Sequence, residues 1–255
     1  MIISHRHRFI FIHCRKVAGS SMKVSLAPHL GPDDVMLGSV HESIQAEGAM
    51  QPWMWRQLLT PLGISELWSA MLKRRGWASA LNKVMKKRFK REFGLSSSSH
   101  PPAVEIRDAM PDIWRDYYKF CFVRNPYERA VSDYLYRTRK DEAPPSFSGF
   151  LSEVIADARS GRQKHDNWPM YTINDEVAVD FVGRYENLEA DFRHALSQVG
   201  IEGVDTLSSA KRRTYPKPWQ EYYGPEEREK VEQLFSQEIE YFEYSFTDRG
   251  ASGPQ

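Results

Sequence analysis

Phe9-Ile10-Phe11-Ile12-His13-Cys14-Arg15-Lys16-Val17-Ala18-Gly19-Ser20-Ser21-Met22-Lys23-Val24-Ser25-Leu26 is the stretch whose reading decides the fold. Its first four residues are a short unbroken apolar run, the pattern of a strand buried on both faces of a parallel sheet. A loop with one glycine follows. Met22 and Leu26 then mark one face of a helix, with Ser20 or Ser21 as the expected N-cap. Pro28 and Gly31-Pro32 end that helix. Met1 to Arg8 reads as a polar lead-in, and Phe9 to Ile12 as the first strand.

The same grammar recurs downstream. Phe120-Cys121-Phe122-Val123 is a second buried run, ending at Arg124-Asn125-Pro126. Pro126 suits the first position of a helix that carries Ala130, Val131, Tyr134 and Leu135 on one face. Val177 to Gly183 is the third strand candidate. A helix and its exit are expected over Pro111 to Lys119, and further helices over Ser146 to Arg159, Glu186 to Val199 with Gly200 as its stop, and Pro225 towards Phe242. Strands separated by helices imply right-handed crossovers, hence an α/β fold with a central, mostly parallel sheet flanked by helices. Ligands of such sheets bind beyond the carboxyl ends of the strands.

The chain has 255 residues, 35 basic against 34 acidic. So even a balance excludes a general nucleic-acid coat, which needs a broad basic excess. Any anion site must be built locally. Cys14 and Cys121 are too few for a disulfide framework or a zinc site and read as small core residues. No run approaches the roughly 20 apolar residues of a membrane span. A reducing, cytoplasmic setting is the expectation.

Residues 49–99 differ in character. They hold Trp53, Trp55, Trp68 and Trp77, then a basic block over residues 73–91 with no acidic residue from Ser69 to Arg91. Leu81, Val84, Met85 and Phe89 recur at helical spacing, so a helical insertion is expected, closing at Ser96 to Ser99. The block has three readings: a solvated helix face, a contact for an anionic glycan, or peripheral attachment to an anionic membrane. Residues 249–255 read as a disordered tail.

The loop from Arg15 to Ser21 has the makings of an anion cradle. Small residues let the backbone approach a ligand, and amides at a helix N-terminus point at it. Lys16 adds a charge, and Ser20 and Ser21 add hydroxyls. The loop lacks the Gly-Lys-Ser/Thr ending that holds magnesium, so a donor with no metal requirement is expected. At the second strand end, Arg124 offers a fork for phosphate oxygens, and Ser132 follows eight residues later in the helix. Two anion sites on adjacent strand ends suit a nucleotide phosphorylated at both ends of its ribose.

Phe11 to Ser21 and Phe122 to Tyr134 resemble the two donor-binding motifs of the sulfotransferase family, with the closer match to its carbohydrate branch, the chondroitin, dermatan and heparan enzymes and their bacterial relatives. Asp180 to Leu188 and Ile239 to Phe246 are similar to family segments too. The resemblance implies a P-loop-like three-layer fold, one domain over residues 1–248, and 3′-phosphoadenosine 5′-phosphosulfate (PAPS) as donor. It assigns Lys16, Ala18, Gly19, Ser20 and Ser21 to the 5′-phosphosulfate, with Lys16 on the leaving phosphate, and Arg124 and Ser132 to the 3′-phosphate. Arg15 and Val17 depart from the proline and threonine usual there. Lys211 and Arg212 are further candidates for the 3′-phosphate. The acceptor is expected to be a hydroxyl, on a carbohydrate in that branch. For the general base His100 is the first candidate, His41 the second, and His13 a residue that shapes the loop. Competing readings are a nucleotide-dependent kinase and an inactive relative that binds anionic glycans.

Overall fold

The structure, a computed structural model, describes residues 1–73, 76–95, 100–161, 165–203 and 215–247. Seven strands occur among them: β1 (Ile2–Ser4), β2 (Phe9–Ile12), β3 (Val35–Met36), β4 (Tyr118–Val123), β5 (Thr172–Ile173), β6 (Glu176–Val177) and β7 (Phe181–Arg184). Five form one sheet in the order β3-β1-β2-β4-β7. β2 pairs parallel with β4, and β4 parallel with β7. Only β1 runs against the rest, antiparallel to both neighbours. The sheet is therefore mostly parallel, as the alternation of runs predicts. Every residue of β2 is buried, and every residue of β4 after Tyr118, which explains why both read as unbroken apolar runs. Phe11 stacks on Phe120 across the pair at 5.2 Å.

The ends of two strand readings need correction. Met1 to Arg8 is not a polar lead-in. Ile2 to Ser4 forms a strand that turns back through residues 5–8 onto β2, and Met1, Ile2 and Ile3 are fully buried. Three residues are too short for a periodic signal, and the His-Arg-His-Arg turn masks them. The turn is fixed by Asp34, whose carboxylate accepts from Ser4 Oγ at 2.7 Å and from the His5 amide at 2.7 Å. Val177 to Gly183 is not one strand either. β6 pairs with β5 in a separate hairpin, and β7 starts only at Phe181. Asp180 makes the break: its carboxylate accepts from the Lys119 amide at 2.7 Å, while its own amide donates to the Lys119 carbonyl. Gly183 then passes the Phe122 ring so closely that a Cβ would lie 2.3 Å from a ring carbon.

The helices are α1 (Gly19–Leu26), α2 (Val40–Glu47), α3 (Pro52–Leu58), α4 (Pro61–Leu72), α5 (Trp77–Phe93), α6 (Ala103–Ala109), α7 (Pro111–Asp116), α8 (Pro126–Arg137), α9 (Phe147–Arg159), α10 (Trp168–Tyr171), α11 (Leu188–Gln198) and α12 (Pro225–Tyr241). α3, α4 and α5 fill the region expected to be helical. Leu81, Val84, Met85 and Phe89 are the buried face of α5, joined to the core around the sheet. A second core lies among α8, α9 and α12. Both cysteines are buried and unpaired in the first core. Among the described residues no helix is long and apolar enough to cross a membrane.

Candidate active site

β2, β4 and β7 are parallel, so their carboxyl ends lie along one edge. The chain leaving β2 runs through a tight loop into α1. Lys16 and Ala18 both adopt left-handed backbone, at φ 64° and 61°. For residues with a Cβ this costs on the order of 1–2 kcal/mol each, so surrounding contacts must hold it. Asn167, fully buried, does part of this: its Oδ1 accepts from the Arg15 amide at 2.9 Å and its Nδ2 donates to the Arg15 carbonyl at 3.0 Å.

The N-cap of α1 is Ala18, not Ser20 or Ser21, and no side chain caps the helix. The left-handed turn at Ala18 begins the helix at Gly19, one residue before Ser20 and two before Ser21. The Ser21 amide donates to the Ala18 carbonyl at 2.9 Å, which leaves the Gly19 and Ser20 amides as the first-turn donors that can face an anion. Gly19 is demanded by contact: a Cβ there would sit 1.8 Å from Cδ2 of His13.

At the end of β4, Arg124 is almost wholly buried. Its Nη1 donates to the Lys16 carbonyl at 3.2 Å, which joins the two strand ends directly. Nη2 pairs with Glu128 on the next helical turn and donates to the Tyr215 hydroxyl at 2.6 Å. The guanidinium lies 3.9 Å over the Tyr185 ring. Burial is the largest influence and opposes its charge, but the Glu128 carboxylate together with Tyr215 and Tyr185 outweighs it and holds the group above its ordinary value. Nε of Arg124 is buried with no hydrogen-bond partner among the described residues. A buried orphan donor is expensive, so this one marks a position an acceptor oxygen would satisfy. Ser132 lies further along α8 and is buried.

Segments far apart in the chain brace this strand end. The Asn125 amide donates to Glu186 at 2.6 Å, and Asn125 Nδ2 donates to the Ser245 carbonyl at 2.9 Å. The Tyr244 hydroxyl donates to the other oxygen of Glu186. Burial pushes the Glu186 carboxyl up, against those bonds. Deeper in α8, buried Arg129 pairs with Glu238 of α12, which also accepts from Tyr171 at 2.8 Å.

Loop and strand end share one cleft of about 710 Å³, within the roughly 300–1,000 Å³ usual for small-molecule sites. Its lining includes every residue from Arg15 to Ser21, with Arg124, Ser132, His13 and His100. Arg137 and Arg139 add charge, against Asp133 as the one carboxylate lining it among the described residues. Burial opposes charge on Asp133, but hydrogen bonding to His165 at 2.8 Å and the nearby Arg137 hold it below the ordinary carboxyl value. The Lys16 ammonium lies 4.4 Å over the Tyr136 ring.

His100 reaches the cleft from the segment before α6. Its Nδ1 is 2.7 Å from the His13 carbonyl. A carbonyl only accepts, so Nδ1 carries the proton and Nε2 keeps its lone pair. Burial is the main reason its pKa is lowered to about 4. His13, whose ring centroid is 4.9 Å away, is also held neutral by burial. His41 is exposed on α2 and is absent from the cleft lining. The Arg15 guanidinium turns to the Asp166 carbonyl at 3.1 Å and to Met170 Sδ. Val17 is fully buried. Lys211 and Arg212, with the serine stretch 96–99 and the tail from 248, lie outside the described residues.

The sulfotransferase family matches residues 1–245, and the chain belongs to it. It is 28% identical over 180 residues to carbohydrate sulfotransferase 14 of Danio rerio, which covers 59% of this chain and 47% of that protein. The chain thus spans about half the length of that relative. An uncharacterized protein of Archaeoglobus fulgidus is 40% identical over 106 residues, 39% of this chain and 82% of its own. No solved structure matches significantly.

Proposed function

We propose that this chain transfers a sulfuryl group from PAPS to a carbohydrate hydroxyl, with the β2–α1 loop acting as a P-loop-like cradle for the phosphosulfate. The observation that carries this reading is the hydrogen bond from Arg124 Nη1 to the Lys16 carbonyl. It brings two anion-binding groups, one on each strand end, into one basic cleft. A donor with phosphate at both ends of a ribose needs both.

In this reading the Gly19 and Ser20 amides at the start of α1, with the Ser20 and Ser21 hydroxyls, hold the 5′-phosphosulfate. Arg124 Nε and the Ser132 hydroxyl take the 3′-phosphate. The acceptor oxygen attacks sulfur, the bond from sulfur to the bridging oxygen breaks, and the departing phosphate carries the charge that Lys16 neutralises. The acceptor proton passes to Nε2 of His100. A base with pKa about 4 is weak at neutral pH, but an anionic donor in the same cleft raises it toward the working range. The carbohydrate acceptor follows the branch to which carbohydrate sulfotransferase 14 belongs. A kinase reading is not favoured, because the loop lacks the magnesium-holding hydroxyl after a Gly-Lys pair.

Incubation with radiolabelled PAPS and a panel of glycans tests the proposal. Label should appear on a glycan, and Lys16→Ala should lower the rate by roughly 10²–10³, the scale of losing one charge-stabilising group. Transfer unaffected by Lys16→Ala, or labelled ATP accepted in place of PAPS, contradicts it.

A further inference from the structure

α4 has an unusual arrangement of side chains. Pro61 to Leu72 contains a single ionisable residue, Glu66, and it faces inward. Glu66 is buried and held by Lys83 of α5 at 3.3 Å and by Lys87. The hydrogen bond from Lys87 is the main cause of its lowered pKa. Gly63, Glu66 and Ala70 are buried, Gly63 against the end of α3 and Glu66 against α5, so the helix has already spent its core-facing side.

The outward row is also apolar. Ile64, Trp68, Met71 and Leu72 follow at i, i+4, i+7 and i+8, one face of a helix, and are 47%, 64%, 69% and 81% exposed. Leu59, Trp55 and Trp77 are exposed too, the two tryptophans in edge contact at 5.6 Å. An ordinary surface helix is polar on this side. Contiguous apolar surface of this kind marks an interaction face.

Charge decides the occupant. Lys73, Lys86, Lys90 and Arg91 are exposed at the end of α4 and along α5, and no acidic residue interrupts Ser69 to Arg91. A second copy seated here would set like charges against each other. An anionic lipid surface meets both demands: headgroups for the cations, the acyl boundary for the apolar row, and an interface that tryptophan favours. We propose that α4 lies in the plane of an anionic membrane surface with Trp68 and Leu72 inserted, and that the α5 cations hold it there. The contact is peripheral.

Co-sedimentation of the full chain with phosphatidylcholine–phosphatidylglycerol vesicles, and with phosphatidylcholine alone, tests this. The wild type should pellet with the anionic vesicles. The double variant Trp68→Ser, Leu72→Ser should bind roughly tenfold more weakly or worse. Lys86→Gln with Lys90→Gln should weaken binding about fivefold per cation removed, on anionic vesicles only. All four substituted residues lie away from the cleft, so affinity for adenosine 3′,5′-bisphosphate should stay unchanged. That control separates failed docking from failed folding. Wild type left in the supernatant overturns the proposal. So does a Trp68→Ser, Leu72→Ser variant that pellets like the wild type, or a dimer in sedimentation velocity that this variant converts to monomer.

Discussion

The carboxyl ends of β2 and β4 and the outer face of α4 are organised in opposite ways. At the strand ends, charge is taken out of water: Arg124 and Glu128 are both about 5% exposed, and Arg129 meets Glu238 deeper still. On α4 the one carboxylate is hidden and the apolar side chains face out. Burying an ion pair rarely adds net stability compared with an apolar pair of the same shape, so its presence at the strand ends needs another reason. A fixed guanidinium beside a basic cleft supplies one. Exposing Trp68 and Leu72 adds no stability either. On the readings proposed above, each region gives up folding free energy for a surface with a task, an anion in one case and an apolar layer in the other.

Stability separates the two regions most widely. Glu128→Ala strands the Arg124 charge in the interior and should cost about 3–5 kcal/mol, a fall in thermal midpoint on the order of 10 °C. Trp68→Ser removes a side chain that is already wet and should move stability by no more than about 0.5 kcal/mol. Equal losses in scanning calorimetry would erase the contrast between a buried charge cluster and an exposed apolar face.

A smaller effect sharpens the cleft side of the comparison. His100 is held to about pKa 4 from an ordinary 6.5. Between those values the unfolded chain binds a proton that folded His100 refuses. Stability therefore falls as pH drops from 6.5 toward 4 and is fully present above 6.5. Buried His13 acts in the same direction. His100→Gln should remove part of this fall without removing all of it. Thermal midpoints for both proteins across that range check the sign, and an unchanged slope would argue that His100 is not buried against the His13 carbonyl.

The strands that position the cleft were legible because their chemistry is local. An unbroken apolar run followed by a polar loop and a helical stripe gave β2 with α1, and β4 with α8, and pointed Lys16, Arg124 and Ser132 toward one edge. What was not legible depends on contacts across the chain. Asn167 clamps Arg15 from 152 residues away, and Tyr215 meets Arg124 from 91 away. No window of sequence contains either pair. Tyr185 carried a signal, since it follows the third strand end within a family-like segment, yet only the stacked geometry shows what it does. The capping error at α1 has a similar origin: serine is the better cap by propensity, but the left-handed turn at Ala18 set the start of the helix. On α4 the basic block drew attention to α5, whereas the decisive feature, an apolar row turned outward, needed exposures that spacing alone does not provide.

Calorimetric titration with adenosine 3′,5′-bisphosphate and with adenosine 5′-monophosphate tests most directly whether one cleft grips both ends of the nucleotide. Charge-assisted bonds from Arg124 and Ser132 should make the bisphosphate bind roughly 10- to 100-fold more tightly, and Ser132→Ala should narrow that gap while leaving the monophosphate unchanged. Equal affinity of the wild type for the two ligands would contradict the assignment of the β4 end to a second phosphate.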